Sequence, residues 1–192
     1  MKKILGLGLR LAFVCALAAG ILASVYRVTS PIIEEGARQE KLRKLRFVLP
    51  GADRLEVRQI KGREITLGYA GQELVEAAIE VAPHGYSGSI RLLVGVSTTG
   101  RVVRRIAVLS DKETPGLGNK IHDYWFLQQF VGKDAEHLQL KKDAPQGTID
   151  AISAATISSR AVTNGVQQAV RDVQDLLADL SSLREGTAKN RG

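Results

Sequence analysis

The chain has 192 residues, 44% apolar and 24% charged, with a formal net charge of +7; this suffices for one ordinary domain plus an anchor, is too little for two large domains, and reads as globular rather than disordered. A single cysteine, Cys15, excludes an internal disulfide and any cysteine-ligated zinc or iron–sulfur centre. The charge suggests attraction to an acidic partner or lipid headgroups; with aromatics at 5% and no binding motif beside the basic residues, nucleic acid is a poor match.

From Ile4 to Tyr26 every residue is apolar or small except Arg10, and about 23 helical residues span roughly 34 Å, enough to cross a bilayer core. Arg10 lies near one end, where its stem can reach the interface. Residues 1–27 therefore read as a transmembrane anchor. A cleaved signal peptide is the competing reading, with Lys2 and Lys3 as its basic start; the apolar run continuing through Ile21, Leu22 and Val25 favours retention. Cys15 is preceded by Val14 where a lipoprotein signal needs a small residue, so it reads as a buried thiol of the span. Basic residues flank the span on both sides, and their count alone does not orient it.

Residues 28–50 read as a juxtamembrane helix: Ser30 caps it, Pro31 occupies its first position, Glu34 and Glu35 follow, and the cluster Arg38 to Arg46 complements the carboxyl end of its dipole. Pro50-Gly51 ends it, and Ile32, Ile33, Leu42, Leu45 and Val48 are expected to pack against the domain. A domain over residues 51–184 follows. Strand-like runs occur at Ile65–Tyr69, Ala77–Ala82, Ile90–Val96 and Val102–Leu109, with a turn at Thr98-Thr99-Gly100. They form a meander rather than βαβ units. Lys120–Val131 reads as a helix and Leu138–Leu140 as a short strand. After Ser158, apolar residues at Ala161, Val162, Val166, Ala169, Val170, Val173, Leu176, Leu177 and Leu180 recur with helical spacing. Residues 185–192 read as a disordered tail. The fold class is α+β: one N-terminal transmembrane helix, then an antiparallel sheet with flanking helices.

Two segments carry chemistry. Asp150 to Ser159 surrounds Thr156 with Ser153, Ala154 and Ala155 just where the last helix begins. A helix N-terminus offers unpaired N–H groups and the positive end of the dipole, and these small residues let an anion approach the backbone. An ordinary loop capped by Ser158 or Ser159 is the plain alternative. Glu113-Thr114-Pro115-Gly116-Leu117-Gly118 combines a stiff proline, two glycines that admit close approach, polar Glu113 and Thr114, and apolar Leu117; a turn without a ligand is its alternative. Tyr86, Tyr124, Trp125 and Phe126 are weighed as stacking residues and read as core, and Arg160 as a solvated arginine. His84, His122 and His137 match no metal spacing, so no metal site is expected, and no catalytic residue is assigned.

Asp150-x-x-Ser153-Ala154-Ala155-Thr156 resembles the flavinylation motif Asp-x-x-(Ser/Thr)-Gly-Ala-Thr of the FMN-binding subunits of Rnf/Rsx and Nqr electron-transport complexes. Gly85-Tyr86-Ser87-Gly88, the following strands, the Glu113–Gly118 loop and Ile157 to Val162 extend the resemblance over roughly residues 80 to 170, and in the segment after Thr156 it is closer to the Rnf/Rsx type than to the Nqr type. It implies an FMN-binding domain in which a flavin transferase joins the phosphate of FMN covalently to Thr156, while the 113–118 loop lies over the flavin. No histidine or cysteine within the motif could activate the threonine, which agrees with an external transferase. Alanine at 154 departs from the usual glycine and would be strained if the backbone there needs positive φ.

The resemblance further implies an electron-relay subunit of a ferredoxin/NAD oxidoreductase complex that moves ions, turning over no substrate of its own. It would be partnered by the other subunits of the Rnf/Rsx complex and by inner-membrane lipid, with the domain in the periplasm. A flavin-free anchored assembly module and a stand-alone periplasmic flavoprotein remain the alternatives.

Overall fold

A computed structural model describes residues 2–99 and 101–189. The chain divides into two units, residues 1–42 and 43–192.

Helix α1 runs over Lys2–Val48 with Pro31 inside it. The break expected at Ser30-Pro31 does not occur: a proline removes one backbone bond and crowds one carbonyl, and the helix continues through it. Ser24 donates from Oγ to the Gly20 carbonyl, 2.8 Å, so the polar hydroxyl is satisfied within the span. Phe13, Leu17, Leu22 and Val25 lie exposed along this helix. It is long and apolar enough to cross a bilayer, which fits membrane anchoring. Cys15 lies on the exposed surface of this helix, within the apolar run. Of the residues expected to pack, Leu45 and Val48 are buried, Ile33 and Leu42 are exposed, and the Ile32 side chain lies outside the described residues.

Five strands follow: β1 Arg54–Ile60, β2 Arg63–Ala70, β3 Glu73–Val81, β4 Arg91–Ser97 and β5 Val103–Ser110. Each pairs antiparallel with the next, giving the order β1-β2-β3-β4-β5. The meander read from sequence is therefore present, with β1 added at one edge. Of the expected turn at 98–100, Gly100 lies outside the described residues.

Alternation along the strands sends side chains to two cores. Ile65, Leu67, Ile79, Leu92, Val94 and Ile106 face the long helix α3, Thr156–Lys189, which contributes Val162, Val166, Val170 and Val173. Ala78, Leu93 and Ala107 face the other way and bury Leu45, Val48 and Leu49. At the β4–β5 pair the register shifts, Gly95 opposing Arg105 and Val96 opposing Val103. The extra residue, Arg104, reaches Glu76 at 2.6 Å. Such a bulge keeps Val103 and Ile106, three apart, in the same core.

The helix expected over 120–131 is instead a 3-10 turn, Gly118–His122, and a short helix α2, Tyr124–Gln128. Ile121, Phe126 and Phe130 are all fully buried. On one continuous α-helix Ile121 and Phe126 would point about 140° apart, so the extended residue Asp123 re-aims the chain. The strand expected at 138–140 reduces to a single parallel bridge between Leu140 and Ile149. Helix α3 continues to Lys189; of the tail expected over 185–192, residues 190–192 lie outside the described residues.

Gly95 has no substitute here: a Cβ would lie 2.1 Å from the Val48 carbonyl oxygen, where the end of α1 crosses the sheet. Gly95→Ala is expected to cost about 1–3 kcal/mol as overpacking and to lower the unfolding midpoint of the full chain in detergent, followed by circular dichroism. An unchanged midpoint would show that the helix end is not held against the sheet.

Candidate functional site

Three segments from distant parts of the sequence meet at one end of the sheet. The first is the turn between β3 and β4, closed by Gly85 N–H to the Gly88 carbonyl at 2.7 Å, with Tyr86 70% exposed at its tip. The second is the loop after β5. Asp111 Oδ1 accepts the Glu113 N–H at 2.9 Å, and Leu117 N–H returns to the Thr114 carbonyl at 3.1 Å, making a turn of Thr114-Pro115-Gly116-Leu117. Pro115 presets the second position of that turn, and Gly116 supplies φ of 78° at the third, the pattern of a type II turn. The third segment is the entry to α3. Ala155 N–H bonds the Ile152 carbonyl at 3.0 Å, closing a turn whose third residue, Ala154, has φ of 62°.

Glu113 joins the three. Only 5% exposed, its carboxylate accepts from Ser87 N–H at 3.0 Å and from Ser158 Oγ at 2.6 Å. Both contacts satisfy a charge that would otherwise be costly to bury. Gly118 leaves the room: a Cβ there would lie 2.4 Å from Glu113 Oε2 and 2.8 Å from Ser158 Oγ.

A cleft of about 440 Å³ lies between these segments, a size usual for sites that enclose a small organic ligand. Thr156, Ala154 and Ala155 line one wall; Glu113, Thr114, Leu117 and Gly118 line another. Ser153 and Gly116, also expected at the site, are not in its wall. Ser153 is exposed in the turn before α3, and Gly116 supplies the positive φ of its turn. Tyr86, Ile157 and Ser158 complete the lining. Tyr86, Tyr124 and Trp125, expected in a core, are all exposed; Phe126 alone of the four aromatics is core.

Thr156 is the first residue of α3 and half-buried. Ala155, which precedes it, has no side chain able to cap the helix, so neither Ser158 nor Ser159 is the N-cap. Ser159 instead turns inward, accepting from Ile152 N–H at 2.9 Å and donating to the Ala155 carbonyl at 2.9 Å. Lys142, which no sequence signal distinguishes within its polar stretch, donates from Nζ to Thr156 Oγ1. Arg160, expected to be solvated, forks onto both oxygens of Asp143 at 2.6 and 2.7 Å. Asp150, in the loop before α3, pairs with Lys141 at 2.7 Å. His122 meets Asp111 at 2.6 Å and His137 meets Asp134 at 2.7 Å; among the described residues no group of metal ligands assembles.

Residues 85–171 match the family model described as FMN-binding domain, and residues 1–48 match the RnfG N-terminal region. The chain belongs to the RnfG family. It is 33% identical over 165 residues to the G subunit of the proton-translocating ferredoxin:NAD(+) oxidoreductase complex of Clostridium ljungdahlii, covering 85% of this chain and 88% of that one. The Na(+)-translocating counterpart of Acetobacterium woodii is 34% identical over 196 residues, covering 91% and 94%. Among solved structures, Shewanella oneidensis NqrC aligns with a TM-score of 0.46 at 22% identity, covering 55% of this chain and 54% of that one.

The strained turn and the Asp143–Arg160 pair can each be tested. Ala154→Gly removes a left-handed alanine and is expected to raise stability by up to about 1 kcal/mol, seen as a higher unfolding midpoint. The Arg160 hydrogen bond holds the Asp143 carboxyl below its ordinary value. The pairing is therefore complete above the usual carboxylate range and is lost as pH falls through the lowered value. Amide exchange in residues 141–147 is expected to stay protected at mildly acidic pH and to accelerate only below the ordinary aspartate range; Arg160→Leu should remove that protection at every pH.

Proposed function

We infer that the cleft holds FMN, tied by a phosphoester to Thr156 Oγ1, and that the chain relays electrons within an Rnf-type ferredoxin/NAD oxidoreductase complex. The observation that carries this reading is the position of the Thr156 hydroxyl, on the first residue of α3 and in the wall of a cleft of about 440 Å³ whose other wall is the 113–118 loop. The fit is chemical as well as spatial. Tyr86, Leu117 and Ile157 are exposed apolar surfaces of the kind a flat ring covers. At the Thr156 end the first N–H groups of α3 and the Lys142 ammonium suit a phosphate.

FMN bound there supplies one- and two-electron chemistry that no side chain of this protein can. The residues position and retain it. The 113–118 loop, stiffened by Pro115 and held by Glu113, forms the wall opposite Thr156. A covalent tether keeps a cofactor at high effective concentration beside its pocket, which matters most on the far side of a membrane, where lost flavin is diluted. We accordingly place the domain in the periplasm, with the amino-terminal part of α1, the anchor read over residues 1–27, in the inner membrane beside the other complex subunits. Threonine is a weak nucleophile with no base beside it in the motif, so a separate flavin transferase forms the ester. Ser153, Ala154 and Ala155 give that enzyme a low-bulk approach.

The test is to produce the full chain with and without a flavin transferase and examine it by intact mass and in-gel fluorescence. Wild type is expected to gain the mass of one FMN residue only with the transferase, and Thr156→Ala to lose both mass and fluorescence completely while folding normally. Wild type that stays unmodified beside an active transferase sinks the reading in favour of a flavin-free assembly module.

A further inference from the structure

Lys142 and Thr156 are fourteen positions apart, yet Nζ of the lysine donates to the very oxygen that would carry the flavin. The contact is prepared by its neighbours. Asp143, the next residue, has both carboxylate oxygens taken by the Arg160 fork, and Arg160 stands one turn beyond Thr156 on the same helix. This clamps the 141–147 loop to the start of α3. Lys141, on the other side, is engaged by Asp150 at 2.7 Å. The nearby acidic groups are thus paired with other cations, while the positive charge of Lys142 meets a neutral hydroxyl. Asp143 senses that charge, but its own hydrogen bonds go to Arg160.

A cation held against a neutral oxygen is poised for an anion built on that oxygen. Resting on the proposed threonine-linked FMN, we propose that Lys142 is the residue that binds the phosphoester, its ammonium passing from Oγ1 to a non-bridging phosphate oxygen once the ester exists. A phosphate diester carries one negative charge at neutral pH. Its unesterified oxygens lie one bond beyond phosphorus, within the sweep of a flexible lysine that already touches the bridging atom. The contact converts a neutral-acceptor hydrogen bond into a charge-assisted one. Lys142 then acts in two ways: it orients the hydroxyl during loading, and it pins the phosphate end afterwards so that the ring stays at the 113–118 wall. Its part is binding and positioning.

The experiment compares wild type, Lys142→Met, Lys142→Arg and Lys141→Met, each as the full chain produced with a flavin transferase. Two quantities are read: the rate of covalent FMN incorporation, and the ³¹P resonance of the loaded protein at neutral pH. Loss of one charge-assisted hydrogen bond predicts a drop of about tenfold in incorporation for Lys142→Met. Lys142→Arg, which keeps the charge, should recover most of it, and Lys141→Met should match wild type. In whatever fraction of Lys142→Met becomes loaded, the ³¹P resonance should shift from the wild-type position, a signature that a purely structural lysine would not give. Incorporation and resonance both unchanged in Lys142→Met overturn the proposal, as does a loss that Lys142→Arg fails to restore. Absence of any covalent flavin in wild type is a different result, since it defeats the threonine-linked reading itself.

Discussion

A buried carboxylate holds the site together. Glu113 accepts a backbone N–H from the β3–β4 turn and a hydroxyl from the first turn of α3, while its own N–H is fixed by Asp111. Remove the carboxylate and Ser158 loses a partner at 2% exposure, a cost of about 1–3 kcal/mol for a stranded buried donor. More is lost than energy, because these bonds are what connect three walls that belong to separate stretches of chain. Gly85 and Gly118 are small because the carboxylate occupies their side-chain space, with Cβ positions 2.4 Å from Oε1 and Oε2 respectively.

The sheet gives this arrangement its rigidity. One face packs the valine stripe of α3, so the helix lies along β3 and β4 and its first residue is delivered to the sheet end. The opposite face is covered by the last turn of α1, whose Lys44 Nζ reaches the Val108 carbonyl on edge strand β5 at 2.9 Å. With the middle of both faces covered, the loops at this end form the cleft that Thr156 lines. Helix and strands supply the fixed frame there, and loops supply the chemistry.

The fold is legible in the sequence wherever hydrophobic period and burial agree. β2 to β5 alternate or run apolar, and the stripe from Ala161 to Leu176 falls on one buried face of α3. β1 carries the alternation Leu55-Glu56-Val57-Arg58, a strand signal in itself, but on this edge strand little is buried before Ile60, so period and burial do not agree there. The break at Asp123 escapes because it is set by where Ile121 and Phe126 must point, which is tertiary information. At the site, both wall segments are readable from local composition, since turns and small residues leave local marks. Their joining is not. Glu113 reads as a polar contact for a ligand, whereas its partners lie 26 and 45 positions away. Lys142 sits in a polar stretch that looks like any solvated surface until Asp143 and Arg160 bring it to Thr156.

The two walls share a device, and they differ at one position. Thr114-Pro115-Gly116-Leu117 and Ile152-Ser153-Ala154-Ala155 are both turns closed by a bond from the fourth N–H to the first carbonyl, at 3.1 and 3.0 Å, with positive φ at the third residue. Glycine takes that position in the first turn without strain; alanine takes it in the second at a cost of about 1–2 kcal/mol. The strained turn survives because it is over-determined: Ser159 Oγ bridges Ile152 N–H and the Ala155 carbonyl from below. The reversal it enforces has a consequence for chemistry. A chain entering α3 gradually would present its first residues along the helix surface, but one that turns sharply at Ala154 puts Thr156 at the very start of the helix and in the cleft wall at once. The methyl group at 154 therefore opposes the conformation that exposes the threonine, and the buried Ser159 bonds are what hold that conformation in place.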